Sequence, residues 1–339
     1  MPLNSDPQTH QEGFIRLALV KPFLQHLKER DIDARPALDQ VGLSEDQISD
    51  TAAYVHSELV YGLLNTLSDL ARDRYLGVRV GEAFDLQSWP PFAMSLQSST
   101  NLFEFLVNFI RLVPQESSSV RHSLVIEAER AVYRVSRLQE PSVAPIQVAG
   151  FGAAVYVRLL QSVTGEAWDP SLVGWETRYI AGAPPRYAGV DTRFIPDPGM
   201  QLSFPLDWLL LEVAKVPQCA TPHPTPPEEE VTLVAAMRSI LRHKLDEPEL
   251  GPEIVAGFLG IQSDRLLKAL KHHGTTLPRE IKRLKTDVAK DLLLHSDKNA
   301  AEIGAKLGYA DKSHFTRFFK SQTGKTPSEY RATPPRNQH

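Results

Sequence analysis

Residues 299–331, NAAEIGAKLGYADKSHFTRFFKSQTGKTPSEYR, constrain this chain more than any other stretch. Asn299 followed by Glu302 has the form of a capping box, which predicts a helix start. Ile303 and Leu307 fall on one face, and Gly308 supplies the stop. Asp311 can cap a second helix running from Lys312 to about Lys320. Phe315, Phe318 and Phe319 recur at the i, i+3, i+4 spacing of a buried stripe. Ser313, Thr316, Arg317 and Lys320 occupy the other side, with His314 flanking. Two short helices around a glycine turn, the second with a polar and basic outer face, predict a helix-turn-helix. Gly324 and Pro327 then mark a helix stop and a new start.

This order of residues closely resembles the second helix-turn-helix of AraC/XylS-type transcription regulators, from Ala301 to Arg331. A surface helical hairpin with no nucleic acid to read has no need of it. The resemblance implies an all-α domain over residues 231–333, with two helix-turn-helix units joined by a connecting helix and double-stranded DNA as partner. In the first unit Ile254, Val255, Phe258 and Leu259 precede Gly260. Leu266, Leu267 and Leu270 are then expected inward, with Asp264, Arg265, Lys268, Lys271 and His272 outward. Gln262, Ser263 and Asp264 stand where many relatives carry Ser-Pro-Arg. A carboxylate near phosphates is repelled and is useful only when it accepts from a cytosine amino group. Either Asp264 reads a cytosine or the first unit reads bases less than the second, and the latter is favoured. Arg265 and Lys268 remain contacts of that unit.

The connecting helix is expected over Pro278–His295. Its inner line is Ile281, Leu284, Val288, Leu292 and His295, and Arg279, Lys282, Arg283 and Lys285 lie outside. It would hold the two units about one DNA turn apart, roughly 34–36 Å. Ser313, His314, Thr316 and Arg317 are the candidates for base edges, and Lys312 and Lys320 for phosphates. Arg331 either contacts phosphate or holds the last helix.

Charge supports the division. Residues 231–339 hold 19 Lys+Arg and 12 Asp+Glu, a net of +7; the preceding residues hold 18 and 29, a net of −11. A basic third on an acidic body fits a DNA-binding module joined to something else. Residues 217–230 are rich in proline and end in three glutamates, which predicts an extended linker. Residues 334–339 form a tail. Cys219 is the single cysteine, so no internal disulfide is expected, in keeping with a bacterial cytoplasm and the nucleoid. The polar N-terminus has no signal-peptide core. No apolar run approaches the roughly 18 residues of a membrane span. Neither the Cys219–His223 pair nor His272, His273 and His314 matches a metal pattern. No cofactor is expected.

Residues 1–216 predict helices over 14–30, 55–71, 75–83, 101–113 and 143–163. Strands are expected at 120–126, 131–138, 172–180 and 200–204, with a last helix from Pro205. This order predicts an α+β domain. The phrases LQSSTNLFEFLVNFIRLV, the helix around Phe151–Leu160 and FPLDWLL resemble the arabinose-binding-like N-terminal domain of AraC-family regulators. The resemblance implies a small-molecule sensor without naming the molecule. An apolar pocket with few polar groups has candidate walls in Trp89, Phe92, Phe151, Tyr156, Trp175 and Tyr187, each also readable as ordinary core. Arg178, Arg186 or Arg193 could hold a carboxylate or sit solvated at the surface.

No nucleophile elbow, phosphate loop, HExxH or dinucleotide turn occurs in residues 1–216, so no enzyme is expected. The function expected is a sequence-specific regulator, by family habit an activator contacting RNA polymerase, controlled by a small-molecule effector. The alternative is a ligand-independent regulator whose N-terminal domain only forms a homodimer.

Overall fold

The computed structural model describes residues 13–50, 53–137, 140–213, 233–247 and 249–332. The chain divides into two compact units, with the main division between Val231 and Thr232. The expected linker 217–230 and tail 334–339 lie outside the described residues.

The first unit is α+β. Strand β1 (Phe14–Arg16) pairs with β2 (Tyr54–His56), and α1 (Lys21–Glu29), α2 (Arg35–Gln40) and α3 (Glu45–Ser49) lie between them in sequence. Helices α4 (Ser57–Ala71), α5 (Leu76–Ala83), α6 (Pro90–Gln97) and α7 (Leu102–Leu112) follow. After the hairpin β3 (Val120–Glu127) and β4 (Arg130–Arg137) comes the long α8 (Ile146–Thr164), then β5 (Gly174–Thr177), β6 (Arg186–Tyr187), β7 (Val190–Phe194) and β8 (Gly199–Pro205). Strands β3 to β8 make one sheet in the order β3-β4-β8-β5-β7-β6, with β5 and β7 parallel and the other pairs antiparallel.

Side chains alternate across a strand, so one face of the sheet can be read off its register. On β4, Ala131, Tyr133 and Val135 are buried and lie opposite Phe204, Leu202 and Met200 of β8. Arg137 is the next residue in that phase and pairs with Val120, while His122 pairs with Val135. A charged residue thus continues the buried row.

Small residues set the crossing of α5 and α8. A Cβ at Gly77 would run into the Gln147 carbonyl, and one at Gly81 would stand 2.7 Å from the Ala154 Cβ. Gln147 seals the crossing, accepting from Gly77 N at 2.8 Å and donating to Ser68 Oγ at 2.9 Å. By length and composition alone, Ile146–Ala167 could cross a bilayer, contrary to the expectation that no stretch comes close. Its Ala153, Ala154, Val155, Val157, Leu159 and Leu160 are buried in the core of this unit.

Several local expectations are corrected. Residues 14–30 are not one helix: β1 and a 3-10 turn precede α1, and Pro22 stands in the first turn of α1. Asn101 caps α7 by accepting from Glu104 N at 2.9 Å. Phe103 is exposed and Phe105 buried in that helix. In α4, Tyr61, Leu63, Leu64 and Leu67 are buried and Leu70 faces out. The expected last helix is a 3-10 segment, Leu206–Leu210.

The second unit is helical over its described residues: α9 (Leu233–Leu241), α10 (Pro252–Leu259), α11 (Ser263–His272), α12 (Leu277–His295), α13 (Ala300–Lys306), α14 (Lys312–Thr323) and α15 (Pro327–Ala332). Helices α10–α11 and α13–α14 are the two helix-turn-helix units, and α12 joins them. Its buried side is Leu277, Glu280, Leu284, Thr286, Ala289 and Leu293. Of the expected inner line Leu284 is buried, Ile281, Val288 and Leu292 are half-buried, and His295 is exposed. The helix instead turns toward Glu280, which Arg238 of α9 pairs at 2.6 Å.

Candidate DNA interface and ligand cavity

The second helix-turn-helix is built as its sequence dictates. Asn299 accepts from Ala301 N and Glu302 N, and the Glu302 carboxylate accepts from Asn299 N at 2.7 Å, completing the capping box. Gly308 turns the chain at φ +74°, where a Cβ would also stand 2.9 Å from the Leu245 carbonyl oxygen. Asp311 caps α14 by accepting from His314 N at 2.8 Å. Phe315 and Phe319 are fully buried, and Tyr309 and Phe318 stack beside them. The outer face follows: Lys312, Ser313, His314, Arg317 and Lys320 are exposed and Thr316 is half-buried. His314 also approaches Asp311 at 3.3 Å. The hydrogen bond from His314 N leads the effects that hold the Asp311 carboxyl below its usual range.

Arg331 holds the last helix. Its Nε donates to the Leu293 carbonyl at 3.0 Å, and Nη2 donates to the carbonyls of Ser296 and Lys298. These carbonyls lie at and beyond the end of α12, so Arg331 ties α15 to the connecting helix. The Glu280 carboxylate also accepts from Thr275 Oγ1 at 2.7 Å. Burial opposes ionisation of Glu280, but hydrogen bonds from Arg238 and Thr275 outweigh it and hold its carboxyl below the usual value.

The first unit is dressed differently. Leu266 and Leu270 of α11 are buried, but Leu267 is 45% exposed rather than inward. Asp264 and Lys268 are exposed and Arg265 is half-buried. The helix starts after Gln262 with no side-chain cap, and its first turn carries the acidic Asp264. A carboxylate there complements the helix dipole.

A second site lies inside the first unit. A mostly apolar cavity of about 110 Å³ is lined by elements from β1 to β8. Trp89, Phe151 and Tyr156 line it, as do Phe23, Leu64 and Met200. Phe92 is fully buried away from it, packed edge-on to Phe105. Trp175 is core against Tyr187. Arg178 pairs with Glu140 at 3.0 Å toward solvent, and Arg186 with Asp191 at 3.5 Å. Arg193 is exposed, and none of Phe92, Trp175, Tyr187, Arg178, Arg186 and Arg193 lines the cavity.

Sequence reasoning missed its polar lining: Glu116, Ser117, Ser119, His122, Arg137 and Tyr179. Glu116 is paired with Arg16 at 3.3 Å; burial pushes its carboxyl up, and Arg16 opposes that shift. His122 is buried among Phe109, Tyr133 and Tyr156, and burial pushes its pKa down to about 3, so it is neutral. The Arg137 guanidinium donates through Nη1 to the Tyr61 hydroxyl at 2.6 Å and lies over the Tyr61 and Tyr179 rings. One signal in the sequence points to it: in RAVYRVSR, residues 130–137, Arg137 keeps the phase of Ala131, Tyr133 and Val135.

Comparison with known proteins agrees with this architecture. Residues 255–333 match the family described as a helix-turn-helix domain, and residues 32–195 match the arabinose-binding domain of AraC transcription regulators, N-terminal. The chain belongs to the AraC family of transcription regulators, with a DNA-binding helix-turn-helix domain and an N-terminal ligand-binding domain. It is 27% identical over 274 residues to the ornithine utilization regulator of Pseudomonas aeruginosa, covering 76% of this chain and 79% of that protein. It is 35% identical over 80 residues to the transcriptional activator RhaS of Escherichia fergusonii, covering 23% of this chain and 29% of that protein. Among solved structures, the transcriptional regulator CdpR from Pseudomonas aeruginosa aligns over 93% of this chain and 98% of its own, at 16% identity and a TM-score of 0.42.

Proposed function

We propose that the protein is a transcription activator that reads DNA mainly through α14 and is controlled by a small-molecule effector in the N-terminal cavity. The observation that carries the reading is the outer face of α14, with Ser313, His314, Arg317 and Lys320 exposed on a helix anchored by fully buried Phe315 and Phe319. A rigid helix with this polar and basic face suits the major groove. Ser313, His314, Thr316 and Arg317 contact base edges, and Lys312 and Lys320 contact phosphates. Arg265 and Lys268 hold the weaker first unit on the backbone, where Asp264 works against them. The chain extends as residues 1–216 for sensing, 217–230 as linker and 231–333 for DNA. It acts in the cytoplasm on the bacterial chromosome, recruits RNA polymerase and catalyses no reaction.

The test is a promoter reporter combined with gel-shift titration of the full chain. Gly152 lines the cavity, and a Cβ there would stand 3.3 Å from the Tyr156 ring. Gly152→Leu should block effector-dependent activation and leave binding to random DNA intact. Unchanged reporter output would refute control through the cavity.

A second reading has one observation in its favour. Phe103 of α7 is 45% exposed and Leu210 is 78% exposed, and Leu102 N donates to the Leu211 carbonyl at 3.0 Å, bringing these segments together. Such a surface suits pairing with a second copy. Sedimentation of Phe103→Glu against wild type tests it: an unchanged mass refutes dimerisation through this face.

A further inference from the structure

Among the described residues Arg137 has no charge partner. No carboxylate among them lies within ion-pair distance of it, and its one side-chain hydrogen bond goes to Tyr61. Its Nε is closed off without an acceptor, and the nearby Tyr179 hydroxyl has no hydrogen-bond partner either. Both residues line the cavity. A guanidinium beside an apolar space, left with an unused donor, stands in a costly position unless an anion completes it.

The rest of the charge in the cavity is settled. Arg16 is neutralised by Glu116, and His122 is neutral. With Arg16, which pairs Glu116 from outside the lining, the charges at the cavity sum to one positive, on Arg137. We propose that the cavity binds a small apolar monocarboxylate whose carboxylate pairs with Arg137 and accepts from the Tyr179 hydroxyl. The inference rests on the cavity being the effector site, and it names the class of effector.

Competing ligand classes fit less well. A phosphate monoester would bring a second negative charge with no second free cation in the lining. A sugar would leave most of its hydroxyls against Ile15, Leu19, Val60, Leu64 and Val148, where they have no partner. An amine would meet the unpaired guanidinium at close range. An apolar chain or ring ending in one carboxylate matches both ends of the space. The same hydroxyl network offers a relay, since Tyr61 Oη also donates to Ser119 Oγ at 3.3 Å and Ser119 Oγ lies 2.8 Å from Ser117 Oγ.

The test is calorimetric titration and thermal shift on the full chain with hexanoate, octanoate and 4-phenylbutyrate, each beside its primary amide and its amine. The carboxylates should bind at least about tenfold more tightly than the amides, as expected for a charge-assisted pair. Arg137→Gln should erase that preference, and Arg137→Lys should keep part of it. The unliganded melting temperature of each variant shows that it folds, and Gly152→Leu should abolish binding of every congener. If amides or amines bind and carboxylates do not, or if Arg137→Gln keeps the preference, the carboxylate assignment falls while the cavity remains a ligand site. If no congener of any charge binds, both the assignment and the cavity's role as the effector site fall.

Discussion

His122 Nδ1 and the Tyr133 hydroxyl are hydrogen-bonded at 2.7 Å across the β3–β4 pair, in the buried layer beside the cavity. Burial depresses the His122 pKa to about 3, against about 6.5 in an unfolded chain. The unfolded state therefore binds a proton that the folded state refuses. The resulting stability is fully present above about pH 6.5 and is lost as the pH falls toward 3, by up to roughly 1.4 kcal/mol per pH unit. Urea unfolding of wild type and His122→Phe between pH 6.5 and 5 measures it, because ordinary carboxylates stay ionised there. The wild-type curve should be the steeper; parallel curves would rule out a buried neutral His122.

Gly77→Ala should destabilise the N-terminal unit by about 1–3 kcal/mol or more, because the new methyl meets the Gln147 carbonyl of α8 and the helices must part. The damage should stay in that unit. Thermal denaturation should show it, while retained binding to random DNA would show an intact second unit. A variant as stable as wild type would contradict the close crossing.

Arg238→Ala should destabilise the DNA-binding unit. It strips the ion pair from Glu280, which is 4% exposed and retains the Thr275 hydrogen bond. Arg238 is itself partly exposed, so the loss is put at about 1–2 kcal/mol rather than the cost of a fully buried pair. The folded-state pKa of Glu280 is depressed, so its contribution is present above the unfolded value of about 4.3 and is lost as the pH falls below it. Unfolding of Arg238→Ala and wild type at pH 7 and pH 3 should give a smaller difference at pH 3.

On DNA the two reading units should answer differently. Arg317→Ala should weaken cognate binding by about 1–3 kcal/mol with little change on random DNA. Equal losses on both would make Arg317 a phosphate contact. Asp264→Asn should strengthen binding to all sequences alike if the carboxylate only faces phosphates. A loss confined to sites with one particular cytosine would instead make it a base reader.

The second helix-turn-helix was legible from residues 299–331 because every determinant there is local. A capping box, an αL glycine and an i, i+3, i+4 aromatic stripe act within a few residues of one another. The β3–β4 hairpin was legible for the same reason, through period-two alternation around a short turn. The two 14–30 and 205–210 segments were not, since a 3-10 turn and a short helix share much the same apolar spacing. The small β6–β7 hairpin was not anticipated either, because Arg186 to Phe194 has too little alternation to announce it.

The cavity was the part that sequence could not place. Trp89, Phe151 and Tyr156 face it while Phe92 and Trp175 do not, although all five are aromatic residues of the same core. Which aromatic lines a void depends on how β1, α4, α8 and the sheet pack together, and those elements are far apart in the chain. By itself the sequence determined the helices of the second helix-turn-helix, and it carries Arg137 in an apolar phase without showing what that charge meets. Only the tertiary structure decided that this charge lacks a partner, because pairing is a matter of long-range distance: Glu116 is taken by Arg16 and Glu140 by Arg178.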